Sequence, residues 1–113
     1  AMDLVSYQPY WLVKNGLVAT YPALEQDERC DVLILGAGIT GAIFAERLSR
    51  EGFDVVVVDR RDVGQGSTSA STALLLYEID AHLATLRESV GRQAADRAYQ
   101  LSVKSIDTLE QLA

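Results

Sequence analysis

The sequence is poor in cysteine and has no long apolar run, and each shortage excludes a class of protein. Its 113 residues include one cysteine, so an internal disulfide framework and a cysteine-rich zinc site are excluded. No apolar stretch approaches the roughly 18 residues that a membrane span requires. Hydrophobic residues make up 49% of the chain, which is enough to offset the entropy of ordering and therefore excludes disorder. We expect one soluble globular domain.

Basic charge is also scarce. The chain has ten Lys and Arg residues and 16 Asp and Glu residues, which give a net charge of −6. No Lys/Arg stripe is present, so we expect no nucleic-acid partner. Residues 1–10 lack the basic start and the apolar stretch of a secretory signal, and we therefore expect a cytoplasmic protein without a membrane span.

The residue types that often act in catalysis or bind metals have no partner pattern in this sequence. The one histidine, His82, lies four residues after Glu78, and on a helix this spacing would place both side chains on one face. No third ligand accompanies them, so we predict no metal site. Cys30 has no His/Asp partner pattern and is interpreted as a packing residue. The sequence identifies no catalytic residue.

The middle of the chain predicts a strand, a helix and a second strand. Val32–Leu35 and Val55–Val58 are short apolar runs typical of strands buried on both faces. Between them, Ile39–Glu51 has one broad apolar side and predicts a helix, with Gly52 as its left-handed cap. Three elements in about 30 residues indicate a parallel crossover unit.

The flanking regions differ in character. Residues 3–29 have no steady period and four aromatic residues, so we expect an irregular arm whose rings pack against its own domain. Residues 60–72 form a Gly/Ser/Thr-rich loop, and apolar spacing then predicts helices near 72–90 and 92–112. We predict an N-terminal arm at residues 1–30 and a partial nucleotide-binding domain at residues 31–113.

A glycine motif follows the first predicted strand. The residues Gly36, Ala37, Gly38, Ile39, Thr40 and Gly41 fit the pattern G-x-G-x-x-G. A strand precedes the motif, a helix follows it, and the second strand ends at Asp59, 23 residues after Gly36. This context is that of a dinucleotide-binding fingerprint.

Each position has a physical role in that fingerprint. Gly36 allows the sharp turn, Gly38 lets the backbone approach a pyrophosphate, and Gly41 allows close helix–sheet packing. The helix N-terminus directs free N–H groups and partial positive charge at phosphates. Asp59 can accept hydrogen bonds from both ribose hydroxyls and would repel a 2′-phosphate. The motif therefore predicts a site for an ADP moiety, which FAD and NAD share.

Three segments on both sides of Asp59 resemble a known family. The segments DVLILGAGITG (31–41), VVVVDRRD (55–62) and GQGSTSASTA (64–73) are similar to the N-terminal region of the D-amino-acid-oxidase-like FAD-dependent oxidoreductases, over roughly residues 31–80. The resemblance implies FAD, with Arg60 near the adenosine. It also implies that five loop residues approach the pyrophosphate or flavin, namely Gly66, Ser67, Thr68, Ser71 and Thr72. Relatives with covalent flavin use a loop histidine, which is missing here, so we expect non-covalent FAD.

The expected fold class is α/β, a Rossmann-like strand–helix–strand unit followed by two helices. A doubly wound sheet needs more strands, so we expect an N-terminal fragment of a larger FAD/NAD(P)-binding fold. By resemblance, the full-length protein oxidises an amine, an amino acid or a related small molecule by hydride transfer to FAD. The alternatives are an NAD-dependent dehydrogenase module and a non-catalytic nucleotide-binding module. We expect the 113-residue chain alone to be inactive, to hold FAD poorly and to self-associate through unpaired strand edges.

Overall fold

The computed structural model describes residues 7–113 and divides the chain into two compact units. The first unit ends at Thr72 and the second comprises Ala73–Ala113. This division does not test the predicted boundary after residue 30, which stays a prediction. The elements in chain order are α1 (Tyr10–Asn15), β1 (Val32–Leu35), α2 (Ile39–Arg50), β2 (Val55–Val58), α3 (Leu83–Val90) and α4 (Arg92–Leu112).

The two strands form a parallel pair with the predicted bounds. Val32 lies opposite Val55, and Leu35 lies opposite Val58. The backbone N–H of Gly36 extends the pairing by donating to the carbonyl oxygen of Val58 at 2.8 Å. Helix α2 connects the strands and contacts both of them. The predicted α/β strand–helix–strand unit is therefore present.

The prediction that both strands are buried on both faces is wrong for this chain. Leu33 and Leu35 of β1 are 55% and 78% exposed, whereas Val32 and Ile34 are half-buried. Helix α2 lies on the side of Ile34, because a methyl group built at Gly41 would lie 3.3 Å from Ile34 Cγ2. The apolar run indicates a second covering layer, which the described residues of the first unit do not supply.

The sequence predicts an irregular N-terminal arm, but part of the arm is helical. Tyr10–Asn15 forms one short helix, which begins after Pro9 and ends at Gly16. Gly16 has φ +69°, a left-handed conformation that suits glycine at the end of a helix. Residues 3–6 of the predicted arm lie outside the described residues.

The second unit contains the two predicted helices, one of them shorter than expected. The helix predicted at 92–112 is confirmed as α4, but the helix predicted near 72–90 is helical only over Leu83–Val90. Ala73 has φ +57°, which is incompatible with a right-handed helix, and residues 73–80 are exposed. An apolar period stabilises a helix only when its stripe is buried, and this stretch has no such cover within its own unit.

Helices α3 and α4 pack together within the second unit. Ala95 at the start of α4 is fully buried. The Arg87 side chain of α3 donates to the Asp96 carboxylate of α4 at 2.6 Å, and the Tyr99 hydroxyl donates to the carbonyl oxygen of Ala81 at 2.7 Å. No helix among residues 7–113 is both long enough and apolar enough to cross a membrane.

Candidate functional site

The glycine motif forms the turn between β1 and α2. Gly36 has φ +115°, a conformation that side chains other than glycine's strongly disfavour, and a methyl group added there would meet only open space. At Gly41 an added methyl group would lie 1.9 Å from the Gly36 carbonyl oxygen. The first turn of α2 therefore lies directly against the backbone of the glycine turn.

The N-terminus of α2 has no side-chain cap of the usual kind. Gly38 is the N-cap residue and supplies no side chain. The first helical N–H, that of Ile39, donates to the Thr68 hydroxyl oxygen at 3.0 Å, so the loop after β2 reaches this helix end. A helix N-terminus concentrates N–H donors and partial positive charge, which favours anions.

Asp59 lies at the carboxyl end of β2 and connects to the glycine turn. Its Oδ2 accepts from the backbone N–H of Ala37 at 2.8 Å, and its Oδ1 accepts from the backbone N–H of Arg61 at 2.9 Å. These hydrogen bonds, that of Ala37 first, hold the pKa of Asp59 below its ordinary value of 3.8, and the Arg61 charge acts in the same direction. Asp59 is therefore ionised at neutral pH.

The loop after β2 returns to the glycine turn. The backbone N–H of Gly64 donates to the carbonyl oxygen of Ala37 at 2.9 Å. Ser69, which is 5% exposed, donates from its hydroxyl to the Gly66 carbonyl oxygen at 2.9 Å. Gly66 has φ +91°, and a methyl group there would lie 3.2 Å from the Arg61 guanidinium. This glycine therefore provides both the conformation and the room that the loop needs.

An open cleft of about 350 Å³ lies at the carboxyl ends of the two strands. It is lined by Leu35, Gly36, Val58, Asp59 and Arg60. In open parallel sheets, ligands bind outside the carboxyl ends of the strands. An ionised carboxylate, a turn with open space beside it and a helix N-terminus fit the ribose and diphosphate of an ADP moiety. A larger cleft of about 940 Å³ lies beside β2 and includes residues 21–26 and Arg61 among its lining.

The predicted site residues are only partly brought together. Direct contacts among them connect Ala37 with Asp59, Ile39 with Thr68 and, within the loop, Ser71 with Thr68. Arg60 lines the 350 Å³ cleft, and its place near an adenosine stays a prediction. Ser67, Ser71 and Thr72 are exposed. Their approach to a pyrophosphate or flavin stays a prediction.

Sequence reasoning missed three residues that shape this site, Arg61, Gly64 and Ser69. The pattern Asp-x-Arg at the end of β2 was a usable signal, since an Asp side chain often accepts from the backbone N–H two residues on. For Ser69, composition gave no distinction from its neighbours in the loop.

His82, Glu78 and Cys30, which the sequence analysis considered for a metal or catalytic role, all lie within the described residues. His82 precedes α3 and Glu78 lies outside any helix, so the spacing argument that would pair them fails. Across the described residues, no group of three or more His, Cys, Asp or Glu is arranged to hold a metal. Cys30 is a free, half-buried thiol beside β1.

Comparison with known families gives a match over most of the chain. The family model DAO, FAD dependent oxidoreductase, matches residues 31–113. No solved structure gives a significant match.

Curated relatives also match the chain. A Bacillus subtilis protein, YhfW, a Rieske 2Fe-2S iron-sulfur protein by name, is 32% identical over 103 residues, which are 91% of this chain. Gamma-glutamylputrescine oxidoreductase of Escherichia coli is 28% identical over 86 residues, or 76% of the chain. Aerobic glycerol-3-phosphate dehydrogenase of Staphylococcus haemolyticus is 46% identical over 50 residues, which are 44% of the chain and 9% of that enzyme. The chain spans 20% of the length of each of the first two relatives.

Proposed function

We infer the function from the premise that this chain belongs to the family of FAD-dependent oxidoreductases whose model matches residues 31–113. We propose that its strand–helix–strand unit is the first part of a Rossmann-like fold and binds the ADP half of FAD. In the whole protein, FAD supplies the redox chemistry by accepting a hydride from the substrate. The residues of this chain bind and orient that cofactor.

One observation carries the proposal: three anion- and ribose-binding features meet at the carboxyl ends of β1 and β2. The N-terminus of α2 would face the diphosphate, and the open side of Gly36 would let it approach. The ionised Asp59 would accept from the ribose hydroxyls. The contact between Asp59 and Ala37 at 2.8 Å supports this placement, because it brings the acid to the glycine turn.

We propose an amine, an amino acid or a related small molecule as the substrate class. The similarity to gamma-glutamylputrescine oxidoreductase supports it, since that substrate by name is an amine derivative. We propose non-covalent FAD because residues 60–72 contain no histidine to attach a flavin. The exposed Leu33 and Leu35 support the further proposal that the chain alone self-associates and holds FAD weakly.

The test is flavin content and ADP binding by the purified protein, measured by absorbance and calorimetry. The whole protein should be yellow and release intact FAD on denaturation. Gly38→Val should reduce ADP and FAD affinity at least about 100-fold, because a Cβ there would lie 3.0 Å from the Thr68 hydroxyl oxygen and its methyl groups would crowd the α2 N-terminus. Ser49→Val is the matched control, since it places the same side chain at an exposed position of the same helix.

Three results would contradict the proposal. A colourless protein that takes up NAD and no FAD would favour the NAD-dependent dehydrogenase module. Unchanged ADP affinity in Gly38→Val would show that the diphosphate does not bind at this turn. Binding of ADP ligands without turnover by the whole protein would favour the non-catalytic module instead.

A further inference from the structure

Three hydrogen bonds join the loop of residues 64–72, here called loop 64–72, to parts of its unit that are distant in sequence. At its start, the Gly64 N–H donates to the Ala37 carbonyl oxygen at 2.9 Å. In its middle, the Thr68 hydroxyl oxygen accepts from the Ile39 N–H at 3.0 Å. At its end, the indole N–H of Trp11 donates to the carbonyl oxygen of Ser71 at 2.8 Å.

The third attachment differs from the other two in origin. Ala37 and Ile39 belong to the glycine turn and α2, which are parts of the proposed site. Trp11 lies in α1, 60 residues before Ser71 in the sequence. Other hydrogen bonds of the loop are local in sequence, such as those from the Ala70 N–H to the Ser67 carbonyl oxygen at 3.2 Å and from the Gln65 N–H to the Asp62 carbonyl oxygen at 3.3 Å. Internal turns fix the shape of the loop, whereas its attachments fix its position.

The indole of Trp11 is held in place by its neighbours on α1. The Tyr10 ring meets it edge-on, with ring centroids 4.9 Å apart and planes at 78°. The Lys14 ammonium lies 5.5 Å from the centroid of the indole, within the range of a cation–π contact. Trp11 is half-buried. Its N–H is therefore directed at Ser71 by a packed ring and not by a freely rotating side chain.

We propose that Trp11 is a positioning residue for cofactor binding. Through the carbonyl of Ser71 it holds loop 64–72 closed, so that the Thr68 hydroxyl stays at the N-terminus of α2. This inference rests on the proposed function, because α2 is where the FAD diphosphate binds. Without the Trp11 donor the closed loop is less populated, and ligand affinity falls by that same fraction.

The experiment compares Trp11→Phe with wild-type protein. Phenylalanine keeps an aromatic ring on α1 and removes the donor, together with one ring of the indole. We expect hydrogen exchange at the Gly64 and Ile39 amides of ligand-free protein to accelerate about 3- to 10-fold, the opening expected from one lost hydrogen bond. The Gly36 amide, which donates within the strand pair, is the internal reference. Affinity for ADP, measured by calorimetry, should fall by a similar factor.

Tyr99→Phe is the matched control for general destabilisation. It also removes one side-chain hydrogen bond to a backbone carbonyl, that of Ala81, but in the second unit. We expect it to lower the melting temperature without changing ADP affinity or exchange at Gly64 and Ile39. Lys14→Met is a second, milder variant, because it removes the cation over the indole and keeps the donor. We expect about a 2-fold effect in the same direction.

The outcomes separate this inference from the proposed function. Unchanged exchange at Gly64 and Ile39 in Trp11→Phe would overturn the anchoring role. Accelerated exchange with unchanged ADP affinity would overturn the link to the cofactor. If the whole wild-type protein bound neither ADP nor FAD, the proposed function would fail. Accelerated exchange in the variant would then still establish the anchor and refute only its role in cofactor binding.

Discussion

We expect Gly41→Ala to destabilise the first unit, although a Gly→Ala substitution at an exposed helical position normally stabilises the helix. Alanine favours a helix over glycine by about 1 kcal/mol. At Gly41, however, the new methyl group would lie 1.9 Å from the Gly36 carbonyl oxygen, where ordinary contact begins at 3.4 Å. Helix α2 must therefore move away from the glycine turn by more than 1 Å.

The size of the stability loss depends on which atom the new methyl group contacts, here the Gly36 backbone oxygen. A backbone oxygen cannot rotate away as a side chain can, so the cost lies near the upper end of the overpacking range, about 3 kcal/mol. After the helical gain, the net loss is about 2 kcal/mol. With a denaturant slope of about 1 kcal/mol/M for a small unit, the urea midpoint falls by about 2 M.

Urea unfolding followed by circular dichroism measures this shift. Ser49→Ala is the control, because Ser49 is an exposed residue of the same helix. We expect that variant to gain a few tenths of a kcal/mol. If Gly41→Ala were as stable as wild type, α2 would not lie directly against the glycine turn, and the reasoning would be refuted.

Two further predictions concern charged side chains. Asp59 has a folded-state pKa below 3.8, so its stabilising contribution is present above that pH and is lost as pH falls through the lowered pKa. The stability gap between wild type and Asp59→Asn should therefore close on acidification, and a gap that is constant with pH would contradict the assignment. Arg87→Gln removes the 2.6 Å pair with Asp96 between α3 and α4 and should lower stability at low salt. The loss should shrink near 1 M NaCl, because salt screens a pair that is partly exposed; an equal loss at both salt concentrations would exclude an electrostatic cause.

The elements that the sequence predicts well are those with local signals. Val55–Val58 is a β-branched run that ends at an acid, and Ile39–Arg50 follows the glycine motif and precedes Gly52. Both have the expected bounds to within one residue. Gly41 also lies where the motif requires close packing. These signals depend on neighbours within a few residues, which is the range that a sequence pattern encodes.

The features that the sequence predicted wrongly or did not predict depend on contacts with residues distant in sequence. The stripe through Leu75 and Ile79 has helical spacing, but these residues are exposed and non-helical, since spacing does not reveal what covers a stripe. The prediction that β1 is buried on both faces was wrong for the same reason. The contact of Trp11 with Ser71 spans 60 residues, and the sequence predicted only that the aromatic rings pack on their own domain.

The carboxylate of Asp59 has a further consequence when its lone pairs are counted. A carboxylate has about four acceptor positions, two on each oxygen. Ala37 occupies one on Oδ2 and Arg61 occupies one on Oδ1. Each oxygen is therefore held by a backbone donor, and its remaining lone pair is oriented before any ligand arrives. The Arg60 backbone N–H, which also lowers the pKa of Asp59, competes for one of these positions. In the proposed site, two fixed oxygens side by side would match the two donors of a vicinal diol, so the hydrogen bonds that fasten β2 to the glycine turn would also orient the acid towards a sugar.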